Sequence, residues 1–292
     1  MNESELREGR FLSQQTTLAK AVTFSGVGLH SGREVHMELR PADADTGIVF
    51  VRSDLAGEPR VEARADRVTS TLRATTIGAD GIEFFTIEHL MSALHALSID
   101  NCEVRLDSEE PPVADGASLV FFELIERAGI QELDAPRHET VIDRVYRIDD
   151  DQHERFVMAV PYDGFRVSFT SVNPHRLIGI QYENFEITPE LYKKEIAPAR
   201  TIAYEKEIEQ LRKMGLGLGG SIENVIVYND EGWLNPLHFD DELVRHKIVD
   251  VIGDLRLAGI IRGHIIAAAS GHALNTALAK QILDGVSREN KC

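Results

Sequence analysis

The chain has 292 residues, 43% hydrophobic and 27% charged, a soluble globular composition whose length suits two domains of typical size better than one. Its 31 basic and 48 acidic residues leave a formal net charge of -17, which argues against the clustered basic face of a nucleic-acid-binding protein. The two cysteines, Cys102 and Cys292, form no CxxC pair, so a thiolate zinc site is excluded and a metal here would be held by histidine and carboxylate.

No apolar run is long enough to span a bilayer. The start, Met1-Asn2-Glu3-Ser4-Glu5, lacks the basic flank and apolar stretch of a signal peptide, so a cytoplasmic location is expected. In chain order, Val35-His36-Met37-Glu38-Leu39 alternates apolar and polar residues, and Gly47-Ile48-Val49-Phe50-Val51 does so more loosely; both read as strands. A helix is predicted over about 86–97, where Ile87, Leu90, Met91, Leu94 and Leu97 recur at helical intervals, with Thr86 as its N-cap. A strand follows at Cys102-Glu103-Val104-Arg105-Leu106, then a loop and a second helix over about 117–128. The stretch 131–139 carries charge, a proline and no periodicity, and is the expected domain boundary. Beyond it come strands at 140–148, 156–161 and 165–171, a helix at 205–213, and a glycine-rich turn at 215–220. A strand at 224–228, a helix at 241–257, a strand at 264–268 and a helix from about Ala273 complete the chain. Strands followed by helices in each half predict two α+β domains, each a sheet with helices on one face.

The helix at 241–257 has an apolar stripe (Val244, Ile248, Val251, Ile252, Leu255) and a polar row of His246, Asp250 and Asp254 at four-residue intervals, with Lys247 alongside. Histidine and aspartate four apart point the same way and can reach one ion. The same spacing also serves as a solvated helix face with a local ion pair, which is the commoner case. Glu88 and His89 stand in the first turn of the earlier helix, where the dipole disfavours imidazolium and keeps His89 able to ligate; the plainer reading is a carboxylate complementing the dipole beside an ordinary histidine. His272 follows the small residues Ser270 and Gly271 at the start of the last helix. The other histidines, such as His36, His95, His153 and His264, have no supporting pattern and read as structural or surface residues. The glycine-rich turn lacks the Gly-Lys-Ser/Thr ending of a phosphate loop and follows a helix rather than a strand. Together, two imidazoles and a carboxylate (His89, His246, Asp250), an adjacent base (Glu88) and a proton donor (His272) make the inventory of a water-activating hydrolase.

At these residues the chain resembles the UDP-3-O-acyl-N-acetylglucosamine deacetylases, from about Gln15 to the last helix. The resemblance rests on Ser25-Gly26-Val27-Gly28-Leu29-His30-Ser31-Gly32, Thr86-Ile87-Glu88-His89-Leu90-Met91-Ser92-Ala93-Leu94, Pro112-Val113-Ala114-Asp115-Gly116-Ala117-Ser118 and Ala199-Arg200-Thr201. It continues through the glycine-rich turn to Ser221, the helix around Val244-Arg245-His246-Lys247 and Ser270-Gly271-His272-Ala273-Leu274-Asn275, all in the family's order. It implies two α+β domains, about 12–134 and 138–288, with the helices packed between the two sheets and the metal between the domains. It implies Zn2+ on His89, His246 and Asp250, with Glu88 as general base, His272 as general acid oriented by Asp254, and Thr201 stabilising the oxyanion. Substrate contacts are expected from Lys247, Arg200, Ile202, Ile208, Gly217 and Ser221, with 205–225 forming a passage for the acyl chain. The implied reaction removes the N-acetyl group of UDP-3-O-(3-hydroxyacyl)-N-acetylglucosamine in lipid A synthesis. The expected partner is that acylated nucleotide sugar, with no nucleic acid and no transmembrane segment, and the enzyme is taken as a monomer. Iron or cobalt would suit the same ligands. Alternatives are another acylated nucleotide sugar as substrate, or a silent scaffold with a structural metal. The chain departs from the family's pattern at Ile202, where many members carry phenylalanine, at Ala269, where a basic residue is common, at Gly217, often larger, and in Val172-Asn173-Pro174-His175.

Overall fold

The computed structural model describes residues 14–289; the expected domain limit at residue 12, the polar N-terminal run and Cys292 lie outside them. In its first half, β1 (Gln14–Leu18), β2 (Val22–Val27), β3 (Glu34–Pro41), β4 (Ile48–Arg52), β5 (Arg60–Glu62), β6 (Val68–Ser70), β7 (Thr76–Ala79) and β8 (Ile82–Phe84) precede α1 (Glu88–Ala96). Strand β9 (Cys102–Leu106), helix α2 (Leu119–Ala128) and strand β10 (Ile130–Pro136) follow. Five of these strands form a sheet in the order β2-β3-β9-β4-β5, β6-β7-β8 form a second, and β1 pairs with β10. The alternation in β3 has the expected result: Val35, Met37 and Leu39 are buried while Glu34 and His36 face outward.

The second half holds β11 (Glu139–Val141), β12 (Tyr146–Asp150), β13 (Arg155–Val160), β14 (Phe165–Val172) and β15 (Ile180–Glu186). Then come β16 (Ile202–Tyr204), α3 (Glu205–Lys213), β17 (Ile226–Tyr228), α4 (Glu242–Leu255), β18 (Ile260–Ala268) and α5 (His272–Glu289). Its main sheet runs β12-β13-β18-β14-β15, with β11 also paired to β18, while β16 and β17 form a separate parallel pair beside α3. This is the α+β arrangement expected. Helix α2 packs against β2, α4 against β14 and β15, and α5 against β12 and β13. Helices α1 and α4 meet between the sheets, and one apolar cluster joins the halves, with Phe50, Leu90 and Leu94 on one side and Val244, Val251 and Phe169 on the other. At the crossing stands Gly253: a Cβ there would lie 2.0 Å from the carbonyl oxygen of Glu88, so only glycine lets the two backbones approach this closely. Among the described residues no helix is long and apolar enough to cross a membrane.

Several local expectations need correction. Thr86 does not cap α1; it has a positive φ of 56°, the helix begins after Ile87, and the Thr86 hydroxyl donates instead to buried Glu110 at 2.7 Å. The stretch 131–139, expected to carry no regular structure, is largely strand β10. Its two-stranded pairing leaves most side chains exposed, so backbone ladder bonds form without any apolar period to betray them. The strand expected at 140–148 is split, because β11 lies parallel to Ile260–Arg262 of β18 while β12 pairs with β13. β18 accordingly starts four residues earlier than expected, at Ile260. His95 is buried in α1, its ring 4.5 Å from that of Phe165.

Candidate metal centre and active site

The α1–α4 crossing brings together side chains more than 150 residues apart in the chain. His89 comes from the first turn of α1, and the four-residue spacing on α4 turns His246 and Asp250 toward it. The Nε2 of His246 lies 3.4 Å and that of His89 3.8 Å from Oδ1 of Asp250. The three candidate ligand atoms all lie within 4.8 Å of one another, and the imidazole rings meet edge to face at 4.9 Å. All three residues are buried. Nδ1 of His246 is 3.1 Å from the carbonyl oxygen of Ala199; as that carbonyl can only accept, Nδ1 carries the proton and the Nε2 lone pair faces the cluster. Burial, reinforced by His246, pushes His89 down to about 3, and burial likewise lowers His246. Both imidazoles are therefore neutral, as ligation requires. Burial alone would raise Asp250, but Lys247, whose Nζ donates to Oδ2 at 2.8 Å, together with His246 holds it well below the ordinary carboxylate range. Two neutral imidazoles and one carboxylate form a donor set that could hold a divalent cation and leave a position open.

A second group of side chains stands beside these three. Glu88 accepts the backbone N–H of Thr75 on Oε2 at 3.1 Å. Its Oε1 lies 4.0 Å from Nε2 of His272. Burial drives Glu88 up to about 7 against the attraction of His272, with Asp254 and Asp250 adding to the rise. Burial would lower His272, but the charge and hydrogen bond of Asp254, then Asp250 and Glu88, carry it up to about 10. Asp254 is completely buried. Its Oδ2 pairs with Nδ1 of His272 at 3.0 Å and accepts from Asn275 at 2.9 Å, while Oδ1 accepts the Thr75 hydroxyl at 2.5 Å. Since Nδ1 of His272 faces a carboxylate, Nε2 points into the site. A cleft thus holds a carboxyl group with a raised pKa next to an imidazolium, the pairing that suits proton transfer in both directions.

Glu88, His89, His246, Asp250 and His272 line a cavity of about 450 Å³ together with apolar residues including Ile208, Leu211, Leu216, Ile222 and Val225 and the polar Arg73, Glu205 and Arg212. Thr201, Ile202, Gly217, Ser221 and Lys247 also line it. Thr201 is placed by its N–H, which donates to the carbonyl of Gly116 at 2.9 Å. Gly217 has a φ of +66°, and nothing lies within 4 Å of where its Cβ would stand. Arg200 is the exception among the expected contacts. It is buried, with Nε donating to Glu242 at 2.9 Å and a terminal nitrogen to the carbonyl of Pro236 at 2.7 Å; it neutralises a carboxylate enclosed at the start of α4 and does not line the cavity. A smaller cavity of about 280 Å³ adjoins, lined by Arg73, Tyr204, Tyr228, Lys247 and Ala269 among others.

Sequence reasoning missed four residues here. Arg73 lines both cavities in a left-handed backbone conformation, φ 65°. His30 lines the larger one, and its Nδ1 accepts the N–H of Gly217 at 3.2 Å. Thr75 and Asn275 hold Asp254. His30 and Asn275 lie within stretches that carried the resemblance, whereas Arg73 and Thr75 precede β7 with no periodic or spacing signal.

A buried set of two imidazoles and a carboxylate, a proton-handling pair next to it and the apolar residues of the same cavity define a hydrolase-like site of the metal-assisted class, suited to an amphiphilic substrate. The chain matches the family model described as UDP-3-O-acyl N-acetylglycosamine deacetylase over residues 15–284. It is 43% identical over 272 residues to the UDP-3-O-acyl-N-acetylglucosamine deacetylase of Anaeromyxobacter dehalogenans, covering 92% of this chain and 87% of the relative. It is 43% identical over 273 residues to the protein of that name from Campylobacter jejuni, covering 92% of each, and 42% identical over 276 residues to the one from Myxococcus xanthus, covering 94% and 87%. The chain belongs to the UDP-3-O-acyl N-acetylglycosamine deacetylase family.

Proposed function

We propose that this enzyme removes the N-acetyl group of UDP-3-O-(3-hydroxyacyl)-N-acetylglucosamine, releasing acetate and the free amine, in lipid A synthesis. The observation that carries the reading is the meeting, in one cavity with apolar residues, of the His89, His246 and Asp250 donor set with the Glu88–His272 pair. The donor set suits Zn2+, which we propose as the cofactor: both imidazoles are neutral, and a backbone carbonyl sets the tautomer of His246. Zinc, when bound, supplies Lewis acidity that lowers the pKa of water and polarises a carbonyl.

The chain's own groups do the rest. Glu88, with Oε2 held by Thr75, presents Oε1 as the base that takes a proton from the attacking water. His272 as imidazolium delivers a proton from Nε2 to the departing nitrogen, without which an amide does not expel its amine. Asp254 orients the ring through Nδ1 and keeps it charged. The Thr201 hydroxyl donates to the amide oxygen as charge develops there. The passage formed by Ile208, Gly217, Ser221 and their neighbours takes the acyl chain, while Ile202 flanks the sugar and Lys247 lies toward the phosphates. We further propose a monomer acting in the cytoplasm, with no nucleic-acid partner, divided close to residues 134 and 138; β10 pairing with β1 and β11 pairing with β18 support that division. The test is acetate release from the acylated nucleotide sugar by zinc-loaded enzyme beside Glu88→Gln. Release should fall at least ~100-fold in the variant with zinc still bound. A parent that releases no acetate at any acyl length tried would refute the reading.

A further inference from the structure

We propose that Thr75 is a positioning residue for proton transfer, fastening the Glu88 carboxylate and the Asp254 carboxylate to a single point of the backbone. The inference rests on the roles proposed above for Glu88 and His272.

The three groups of the proton-handling set come from three elements: Glu88 from α1, Asp254 from α4 and His272 from the start of α5. Thr75, completely buried at the entrance of β7, touches two of them. Its backbone N–H donates to Oε2 of Glu88 at 3.1 Å, and its hydroxyl donates to Oδ1 of Asp254 at 2.5 Å. Its carbonyl also accepts, at 3.5 Å, from the N–H of Ile87, the residue that leads into α1. One residue thus fixes where one carboxylate sits relative to the other across the junction between the two halves.

The accounting at Asp254 shows why the hydroxyl matters. Its Oδ2 is shared by Nδ1 of His272 and Nδ2 of Asn275. Among the described residues, Thr75 is the only hydrogen-bond donor to Oδ1. Removing that donor leaves one oxygen of a fully enclosed carboxylate unsatisfied, and the group can recover only by rotating or by shifting toward a neighbour. Either response turns the imidazole that Oδ2 holds, and Nε2 of His272 moves off its line toward the leaving nitrogen. Glu88 keeps its own anchor, because that bond comes from the backbone. A change at this side chain therefore acts on the general-acid side of the reaction and leaves the metal donor set and the apolar passage in place.

The experiment compares Thr75→Val, which keeps the shape and removes the hydroxyl, with Thr75→Ser, which keeps the hydroxyl. The holoenzyme is assayed for acetate release, zinc content and thermal unfolding. In Thr75→Val, kcat should fall roughly 10- to 100-fold, KM should stay within about twofold and zinc stoichiometry should not change, while Thr75→Ser restores most of kcat. Equal kcat in parent and Thr75→Val, or a loss of thermal stability with kcat preserved, would overturn the proposal. Should Thr75→Val fail to fold, Thr75→Ala, which adds no atom to the buried site, carries the same comparison. Glu88→Gln in the same series separates the two ideas: if it too is fully active, the assignment of the proton-handling pair has failed; if it is inactive while Thr75→Val is unimpaired, only the role of Thr75 has failed.

Discussion

Replacing Gly253 by alanine tests whether the helix crossing sets the active-site geometry. The added methyl carbon would lie 2.0 Å from the carbonyl oxygen, 2.7 Å from the carbonyl carbon and 3.0 Å from Cα of Glu88. Comfortable contact begins near 3.5 Å, so α1 and α4 must part locally by roughly 1.5 Å. The obstacle is helix backbone, which cannot swing aside as a long side chain would. Overpacking of this kind costs about 1–3 kcal/mol, and the better helix propensity of alanine returns about 1 kcal/mol. A net loss of about 0–2 kcal/mol lowers Tm by only a few degrees in a protein of this size. The site is far less tolerant, because Glu88 and His89 ride on one helix and Asp250 and Asp254 on the other. A misplacement of about 1 Å is worth around 100-fold in rate, and ligand distances must hold to within about 0.2 Å for a tight metal site. Gly253→Ala should therefore stay folded by circular dichroism, lose zinc on dialysis against a weak chelator, and release acetate at least ~100-fold more slowly. Gly232→Ala serves as the control, since nothing lies within 4 Å of its would-be Cβ. If Gly253→Ala retains zinc and turns over within about twofold of the parent, the close crossing is not what holds the site together.

Two further outcomes concern the cavity wall and the enclosed His95 of α1. Gly217→Ile should shorten the preferred acyl chain by adding bulk to a residue that lines the cavity, at the cost of backbone strain from its φ of +66°; turnover across a series of acyl lengths, compared with Gly217→Ala, which carries the same φ strain with less bulk, checks this, and an unchanged length preference would sink it. His95 should make the fold acid-sensitive, since burial, then Arg256, pushes it down to about 3 and Nδ1 has no partner among the described residues. Its folded pKa lies below the unfolded value near 6.5, so its neutral form supports the fold above that pH and the support is lost as pH falls from about 6.5 toward about 3. Between pH 7 and pH 5 that loss amounts to about 2 kcal/mol. Denaturant unfolding of parent and His95→Gln at both pH values should show a correspondingly shallower decline in the variant; parallel declines would mean that His95 titrates normally.

What could be read from the sequence was what depends on local period. The alternation in β3 is followed by burial residue by residue, whereas α1 and α4, read from their apolar stripes, are enclosed on nearly every side, with His89, Ser92 and His95 of α1 and His246, Asp250 and Asp254 of α4 buried as well. The four-residue spacing of His246 and Asp250 likewise placed both on one side of a helix. Elements without a buried face left no such trace. β10 is held by ladder bonds to β1 with its side chains outward, so no period marked it as a strand. Thr86 had the composition of a helix cap, but a buried carboxylate 24 residues away claims its hydroxyl. Arg200 directly precedes Thr201 and Ile202, which meet the cavity, yet Glu242, 42 residues on, claims its guanidinium. In both cases the competing partner is distant in sequence and enclosed, and an enclosed charge outbids a local preference because leaving it unpaired costs more than any cap contributes.

The same logic explains why the site could be inferred only as a combination. Each of its residues has a commonplace local reading: a dipole-complementing glutamate, a helix ion pair, a histidine after a turn. What changes their chemistry is shared enclosure. Removing water raises Glu88, lowers His89 and His246, and makes Asp254 strong enough to keep His272 charged against its own burial. Adjacent groups thus diverge, with His89 and His246 neutral and His272 cationic, although all three belong to the same residue type. Burial outweighs the attraction of Asp250 at His89 and His246, whereas at His272 the charge and hydrogen bond of Asp254, together with Asp250 and Glu88, outweigh burial. The crossing of two helices from different halves of the chain is therefore what brings the His89, His246 and Asp250 donor set together beside Glu88.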